Sequence, residues 1–422
     1  MSTKYEHTSS IPKLDDMLQS LLIVEEGEHE FSGAEGVKEL RHHFFPVTRH
    51  NIYLNHASMG PLPEPVARTM HEYVDDASSF GNIHKARWEE YERGAHRRLA
   101  SLIYARPNQI ALTASTGDGL MLIAQGMNWQ EGDTIITAEG EFPSNVYPWL
   151  NLQEQGVNLQ VVPTRNARIA TEDVFANITE RTRLVSLSLV EFSTGFRNDI
   201  ITIAAYCRER GILCGIDAMQ ALGALDVNVQ ALGVDYMAAA AHKWLLGPKT
   251  CGILYVSDQL LAQLETRRRG WFSVETPSDF LNYPQPLKAG VARFEHSLPN
   301  SFPIVGLDAT LGVFECIDGG MEAVESRILG LTQRAIAGLE QLGYPIVSPL
   351  GQGERSGLVC FSPHPDQHDL TIQQIVDTLA GRRIYVAARG DVVRISPHFY
   401  NTVEEIDVLL EMLEEMKRTL HR

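Results

Sequence analysis

The chain has 422 residues and a formal net charge of −17, from 36 lysines and arginines against 53 aspartates and glutamates. With 44% hydrophobic and 21% charged residues, it has the composition of a globular protein with two or three domains, or one large domain and a satellite. The acidic balance argues against a nucleic-acid partner, because such binding depends on cations that neutralise phosphates, but it permits a local site for small anions.

The N-terminal residues are polar and lack the apolar segment of a signal peptide. Asp217, His242 and Lys243 interrupt the longest apolar runs, so no membrane-spanning segment is predicted. The five cysteines are scattered and form no CxxC pair, which predicts neither a disulfide framework nor a metal site. We therefore expect a cytoplasmic protein without a membrane partner.

An N-terminal extension, residues 1–50, contains one predicted amphipathic helix at residues 14–26. A turn and three prolines at residues 51–66 indicate an ordered loop, and two helices follow up to residue 103. Apolar segments of strand length then alternate with helical ones. The predicted strands cover residues 109–115, 133–139, 158–164, 183–190, 212–218, 236–242 and 251–257. This alternation predicts an α/β fold with a mostly parallel sheet that is buried on both faces, in a large domain at residues 51–291.

The pattern changes at residue 292. A long helix is predicted at about residues 305–342, followed by a strand at 357–363, a helix near Gln373, a strand at 392–397 and a terminal helix. These elements predict a smaller α+β domain at residues 292–422, and we expect the N-terminal extension to pack with it.

Chemistry is expected just after the strands, because ligands of such sheets bind outside the carboxyl ends of the strands. Lys243 follows the apolar strand in YMAAAAHKWLLGP (residues 236–248), where burial lowers the pKa of an amine and makes it more nucleophilic. Asp217 closes the preceding strand, where an unpaired carboxylate is costly. A surface lysine and a structural ion pair are the alternative interpretations of these two residues.

Two further segments suggest anion binding. Ser115, Thr116 and Gly117 lie between a strand and a helix, where backbone N–H groups and the helix dipole favour a phosphate. The segment matches neither a dinucleotide fingerprint nor a Walker motif. Arg394 lies in an apolar strand, where a guanidinium needs an anionic partner, either a substrate carboxylate or an acidic side chain of the protein.

The order of these motifs resembles the class V aminotransferase family of pyridoxal phosphate enzymes, which includes cysteine desulfurases, selenocysteine lyases, kynureninases and isopenicillin N epimerase. The resemblance runs from about residue 51 to the C-terminus. It includes YLNHASMGPLP (53–63), the Asp217 and Gln220 pair, His242 with Lys243, RFEHSLPN (293–300) and the late RISPHFYNT (394–402). The resemblance implies the aspartate aminotransferase-like fold type I, pyridoxal 5'-phosphate as cofactor and a homodimer with shared active sites.

By this resemblance, Lys243 would form the Schiff base with the cofactor, Asp217 would pair with its pyridine nitrogen, and Gln220 would bond its phenolic oxygen. The phosphate would be held by one group of residues, namely Ser115, Thr116, Gly117, His242 and, from the second subunit, Ser297. Phe142 would stack on the cofactor ring. Arg394 would bind the substrate carboxylate, and Asn55 and His56 would also bind the substrate. No metal is implied.

The departures from the family pattern bear on the reaction type. Phe142 stands where desulfurases usually place a histidine, and a phenyl ring cannot donate a proton. The stretch before Arg394 contains no cysteine, so a desulfurase with a cysteine nucleophile is disfavoured. We expect an enzyme that acts on a small α-amino acid through a Cα carbanion, most simply an aminotransferase, with β-elimination (C–S lysis) or epimerisation as alternatives. Arg197 is either a second substrate anchor or a structural ion pair.

Overall fold

The computed structural model describes residues 41–365 and 370–419. A seven-stranded mixed sheet forms the centre of the fold. Its strands, in chain order, are β2 (Ile110–Thr113), β3 (Thr134–Ala138), β4 (Asn158–Val162), β5 (Thr182–Ser188), β6 (Leu213–Asp217), β7 (Tyr236–Ala240) and β8 (Gly252–Val256). Their spatial order is β2-β8-β7-β6-β5-β3-β4, and β8 runs antiparallel to both of its neighbours while the other pairs are parallel.

The inner strands are apolar because helices or loops cover both faces of the sheet. Every residue of β6, β7 and β8 is buried, whereas the edge strand β4 is largely exposed and carries polar residues. Two separate hydrophobic clusters fill the two sides of this sheet. The predicted mostly parallel sheet is confirmed.

Helices surround the large sheet and lie in its connections. They are α1 (Glu64–Phe80), α2 (Lys85–Leu102), α3 (Thr116–Gly126), α4 (Tyr147–Leu150), α5 (Thr171–Ala176), α6 (Ile200–Arg208), α7 (Val229–Leu232) and α8 (Asp258–Leu261). Helix α3 begins directly after β2, and Ser115 caps it by accepting a hydrogen bond from the backbone N–H of Asp118 (3.1 Å). The loop between β2 and α3 thus presents a helix N-terminus at the carboxyl edge of the sheet.

The C-terminal part contains helices α9 (Ser301–Glu315), α10 (Gly320–Leu342), α11 (Ile372–Gly381) and α12 (Val403–Thr419). An antiparallel sheet joins β9 (Val359–Phe361), β11 (Ala387–Arg389) and β12 (Val392–Ile395), while β10 (Ile384–Tyr385) pairs in parallel with β1 (Ile52–Tyr53). A third hydrophobic cluster lies between these elements. Strand β1, near the start of the region that resembles the family, therefore pairs with the C-terminal part of the chain.

The single long helix predicted at residues 305–342 is wrong. The structure contains α9 and α10, separated by residues 316–319, because Gly319 (φ 76°) and Gly320 (φ 56°) adopt left-handed backbone conformations that end one helix before the next begins. Helix α9 packs on α1 and α2 and contributes to the core beside the large sheet. The domain boundary at residue 291 stays a prediction.

The predicted helix at residues 14–26 lies outside the described residues. Of the extension, residues 41–50 pack on the C-terminal part: the guanidinium of Arg41 forms an ion pair with Glu405 and donates to the carbonyl of Tyr400 (2.7 Å). Phe45 stacks on Tyr400, with ring centroids 4.1 Å apart. Within the described residues, none of the helices combines the length and the apolar character that a membrane crossing requires.

Candidate active site

Lys243 lies three residues after the end of β7, on the carboxyl edge of the large sheet. Its ammonium nitrogen lies 5.6 Å from the ring centroid of Phe142, and it forms no hydrogen bond or ion pair with any described residue. Burial lowers the pKa of the Lys243 amine from 10.5 to about 8; Asp217 opposes this shift, and the nearby Arg394 and Arg389 guanidiniums add to it. Lys243 is thus a partly neutral amine that faces an aromatic ring.

This pKa predicts how the amine reacts with a carbonyl compound. At pH 7 about a tenth of Lys243 is neutral, and the fraction rises about tenfold per pH unit until it levels off above about pH 8. The rate of Schiff-base formation with added pyridoxal phosphate should follow this curve in stopped-flow absorbance measurements. Arg389→Gln removes one nearby positive charge and should move the midpoint to higher pH. An unchanged midpoint would show that the Arg389 charge does not lower the pKa of Lys243.

Asp217 is the last residue of β6 and is only 4% exposed. One carboxylate oxygen accepts the backbone N–H of Met219 (2.8 Å). Burial raises the pKa of Asp217 to about 6, although the Met219 N–H and the Lys243 charge both favour the ionised form. A buried carboxylate in this state is suited to a cationic or N–H-bearing ligand.

Gln220 follows Asp217 on the same turn and is buried. Its amide nitrogen donates to the carbonyl of Ala57 (3.0 Å), and its amide oxygen accepts the indole N–H of Trp244 (3.0 Å). One amide hydrogen remains for a ligand. The amide therefore joins three segments, the Asp217 turn, the Lys243 loop and the loop after β1, and its predicted contact with a cofactor oxygen stays a prediction.

The predicted phosphate loop lies next to the Asp217 turn. The hydroxyl of Thr116 donates to the sulfur of Met219 (3.5 Å), and Gly117 faces Ser144. A Cβ atom at Gly252 would come within 2.6 Å of the Ser115 backbone, so glycine at that position allows β8 and the loop to approach each other closely. The loop thus lies at the helix N-terminus that the sequence predicted, close to Asp217.

His242 is the neighbour of Lys243, and its ring nitrogen Nδ1 is buried without a hydrogen-bond partner among the described residues. Such an unsatisfied polar atom is costly unless a ligand supplies the bond. The carbonyl of His242 accepts the N–H of Gly60 (2.9 Å), and a Cβ at Gly60 would come within 2.1 Å of the Lys243 carbonyl. The loop after β1 therefore packs directly against the Lys243 backbone.

Two arginines of the C-terminal part meet at this loop. Arg394, in β12 and 1% exposed, donates to the carbonyl of Phe192 (2.7 Å) and to the hydroxyl of Ser58 (2.9 Å). Arg389, in β11, donates to the same hydroxyl (2.8 Å). Neither guanidinium forms an ion pair with a described carboxylate, and Nε of Arg394 is buried without a partner. Burial, with a smaller effect of Arg389, lowers the pKa of Arg394 to about 10.

Two guanidiniums that share one hydroxyl and have no described carboxylate partner are suited to bind an anion. The predicted role of Arg394 in binding a substrate carboxylate stays a prediction. Phe142 contacts Phe192 edge to face (5.2 Å between centroids). Neither Arg389 nor Ser58 was predicted from the sequence. Arg389 could have been identified as the second arginine of the hairpin that contains Arg394.

His56 is not placed to bind a substrate, and this prediction is corrected. The residue is fully buried, Nδ1 lies 2.9 Å from the Ser396 carbonyl and Nε2 lies 2.6 Å from the Tyr400 hydroxyl. Burial lowers the pKa of His56 to about 3, so the ring is neutral and structural. Asn55 differs from it, because its side-chain oxygen is buried without a partner and stays a candidate for ligand binding.

Ser297 is exposed and lines a cavity of about 450 Å³ together with Ala114, Asp118 and Arg268. Lys243, Asp217 and Arg394 are not among the described residues around this cavity. Ala114 and Asp118 flank the predicted phosphate loop, so Ser297 lies on the outer side of that loop in its own chain. Its predicted role across a dimer interface is a separate proposal.

Arg197 forms an ion pair with Glu325 (2.6 Å), which supports the structural interpretation of this residue. Among the cysteines, Cys360 is fully buried in β9, and its thiol donates to the carbonyl of Ser193 (3.3 Å). Burial raises the pKa of Cys360 to about 11. Cys360 is nevertheless the register partner of Arg394 in the β9–β12 pair, so a thiol does lie one strand away from the anion site.

The chain is similar in sequence to one protein family and to several of its relatives. Residues 52–409 match the sequence profile of the family Aminotransferase class-V. A probable cysteine desulfurase of Methanothermobacter thermautotrophicus is 29% identical over 399 residues, which cover 88% of this chain and 96% of that protein.

Two solved structures of the protein C-DES have the same fold. One is a lysine-to-alanine mutant with glycine covalently linked to its PLP cofactor (25% identity, TM-score 0.81, 89% of this chain and 99% of that one). The other is the cystine C–S lyase C-DES in complex with its product, cysteine persulfide (26% identity, TM-score 0.80, 88% and 99%). These similarities confirm the predicted family resemblance and fold, and they do not support the sequence-based argument against desulfurases.

Proposed function

The chain belongs to the class-V aminotransferase family, and from this premise we propose that it is a C–S lyase, which eliminates a sulfur substituent from Cβ of an α-amino acid. Its cofactor is pyridoxal 5'-phosphate, as in the family. Transamination, the simplest expectation from the sequence, becomes the second candidate.

The unsatisfied groups of the site fit this cofactor. The buried, unpartnered Nδ1 of His242 and the N-terminus of α3 at Ser115 and Thr116 would hold its phosphate. Asp217 would accept the N–H of its ring nitrogen, and Lys243 would form the covalent link. Phe142, 5.6 Å from the Lys243 nitrogen, would lie against the ring. The donor set thus contains a phosphate site, a ring-nitrogen partner and an amine in one cleft.

The bound cofactor supplies an electron sink for the electron pair that remains at Cα when a proton is removed. Arg394 and Arg389 bind and orient the substrate carboxylate. Lys243, with its lowered pKa, removes the Cα proton and delivers a proton to the departing group. Phe142 and Phe192 contact each other edge to face and donate no proton. Elimination needs no further nucleophile from the chain.

The observation that carries the proposal is the arrangement around Arg394. The thiol nearest in register, Cys360, is buried and protonated, while the anion site and Lys243 provide what an elimination requires. The similarity to the cystine C–S lyase over 88% of this chain supports the same reaction class. Transamination is favoured by the family description and by the names of some relatives.

Product analysis tests this proposal. The full-length chain with pyridoxal phosphate should convert cysteine or cystine into pyruvate, ammonia and a sulfur product. Alanine in place of pyruvate would instead indicate a desulfurase, and a keto acid that keeps the sulfur side chain and forms only when a 2-oxo acid is added as amino-group acceptor would indicate an aminotransferase. Inversion at Cα without any of these products would indicate an epimerase.

Cys360→Ala separates the lyase from a desulfurase that uses this thiol. We expect the variant to keep sulfur release within about twofold of the wild type, because the buried thiol takes no part in elimination. Cys251→Ala, which removes another buried thiol, is the control for packing effects. A loss of sulfur release in Cys360→Ala alone would show that the desulfurase is the correct assignment.

We also propose that the active form is a homodimer. Phe280, Leu281 and Tyr283 expose 69%, 85% and 82% of their surface in one chain, an exposure typical of an interface. Ser297 lies on the outer side of the phosphate loop. In a dimer, the same segment of a second chain would contact this loop. Sedimentation velocity of the full-length chain tests the dimer, and a monomer with full activity would contradict it.

A further inference from the structure

Three buried carboxylates lie beneath the proposed cofactor site. Glu141, Glu191 and Asp217 are 7%, 4% and 4% exposed, and Glu141 directly precedes Phe142. Asp217 has an assigned role as the partner of the ring nitrogen. The proposed reaction gives no role to Glu141 or Glu191, although burying each carboxylate is costly.

The Glu141 carboxylate is hydrogen-bonded to β5, the strand that pairs with β6, which ends at Asp217. Its carboxylate accepts both the backbone N–H of Ser188 (2.5 Å) and the Ser188 hydroxyl (2.6 Å). Ser188 and Asp217 are register partners in the parallel β5–β6 pair. Glu141 therefore lies one strand away from Asp217 and is held there by two hydrogen bonds.

Glu191 joins the same group through an asparagine. The side-chain nitrogen of Asn198 donates to the Glu191 carboxylate (2.7 Å) and to the carbonyl of Ser188 (2.8 Å). The oxygen of the Asn198 side chain is buried without a partner among the described residues. Ser188 thus links both glutamates, one directly and one through Asn198.

The charges around this group are unbalanced. Asp217 on β6 repels both glutamates, Glu141 also faces Tyr236 on β7 and the amide of Asn145, and Lys243 acts on Asp217. Neither glutamate forms an ion pair in the described part of the chain. Burial, supported by repulsion from Asp217, raises the pKa of Glu141 to about 7. Burial and repulsion from Glu141 raise the pKa of Glu191 well above its ordinary value.

We propose that Glu141 and Glu191 share one proton at neutral pH and act as positioning residues for Asp217, because their remaining negative charge keeps the ring nitrogen of the cofactor protonated. Three like charges cannot all be ionised in a buried site, so one proton stays with the pair. The charge that is left adds to that of Asp217 and raises the proton affinity at the ring nitrogen. The inference rests on the cofactor and not on the reaction type.

The first test measures protonation through stability. A carboxyl whose pKa is raised in the folded state keeps its proton while the unfolded chain loses it, so stability falls as the pH rises between about 4 and 7. Glu141→Gln removes this group, and its melting temperature should decline less than that of the wild type between pH 5 and pH 8. Glu139→Gln removes an exposed carboxylate two residues away and should keep the wild-type decline.

The second test measures the cofactor itself. In the pyridoxal phosphate-loaded chain, the pH midpoint of the absorbance transition of the lysine-bound cofactor should fall by about half a unit or more in the double variant Glu141→Gln/Glu191→Gln. The reason is that the double variant removes the one negative charge that the pair retains, whereas either single variant can leave that charge on the remaining glutamate. A purely structural role of the glutamates would lower the melting temperature and leave this midpoint in place.

The two tests separate the possible failures. If the wild type shows no cofactor band, the cofactor assignment fails, and the melting series still decides whether the pair holds a proton. If the band is present but the double variant does not move its midpoint relative to Glu139→Gln, the positioning role is overturned. If Glu141→Gln melts with the same pH dependence as Glu139→Gln, the shared proton is overturned.

Discussion

Lys243→Ala should remove the near-ultraviolet to visible absorbance band of the bound cofactor and reduce turnover by at least about 10³-fold. The amine does two things in the proposed mechanism, since it forms the covalent link to the cofactor and transfers the proton at Cα. No other described lysine lies beside Asp217 and Phe142, and an amine with a pKa of about 8 is suited to both tasks.

The change should leave the fold intact, because Lys243 forms no hydrogen bond or ion pair with the described residues. Circular dichroism and the melting temperature are therefore expected to stay near the wild-type values. Lys249→Ala, which removes an exposed lysine six residues later, is the matched control and should keep both the band and the activity. A Lys243→Ala enzyme with wild-type turnover would show that another residue carries the chemistry.

Arg394→Gln should raise KM and lower kcat/KM by about 30-fold to about 1,000-fold, which corresponds to about 2–4 kcal/mol for the loss of one partner of a buried charge pair. Arg394 is 1% exposed and has a buried, unpartnered Nε, so water cannot replace the substrate carboxylate as its partner. Arg389→Gln should have a smaller effect, because Arg389 is partly exposed.

A substrate with its carboxylate converted to an amide distinguishes this role from a structural one. The wild type should prefer the carboxylate strongly, whereas Arg394→Gln should lose most of that preference. Arg334→Gln, which breaks an exposed ion pair with Asp407 in the same part of the chain, serves as the control. Equal preference for the carboxylate in Arg394→Gln and in the wild type would rule out Arg394 as the carboxylate-binding residue.

Much of the fold could be predicted from the sequence, because strands that are buried on both faces must be apolar along their whole length. Strands β6 and β7 end at or just before Asp217 and Lys243, and a charged residue that follows such a run is visible without a structure. The break between α9 and α10 was missed, since Gly319 and Gly320 stop a helix only through their left-handed backbone, which a periodic apolar pattern does not reveal.

The sequence by itself determined the family, the α/β architecture and the residues at the strand ends, because these depend on local patterns and on motif order. Only the tertiary structure decided which side chains share one environment. It placed Ser58 between two arginines 331 and 336 residues away, buried His56 between protein partners, and linked Glu141 to Glu191 through Ser188. The physical reason is that burial and charge balance arise from contacts between distant segments, which a single sequence does not record.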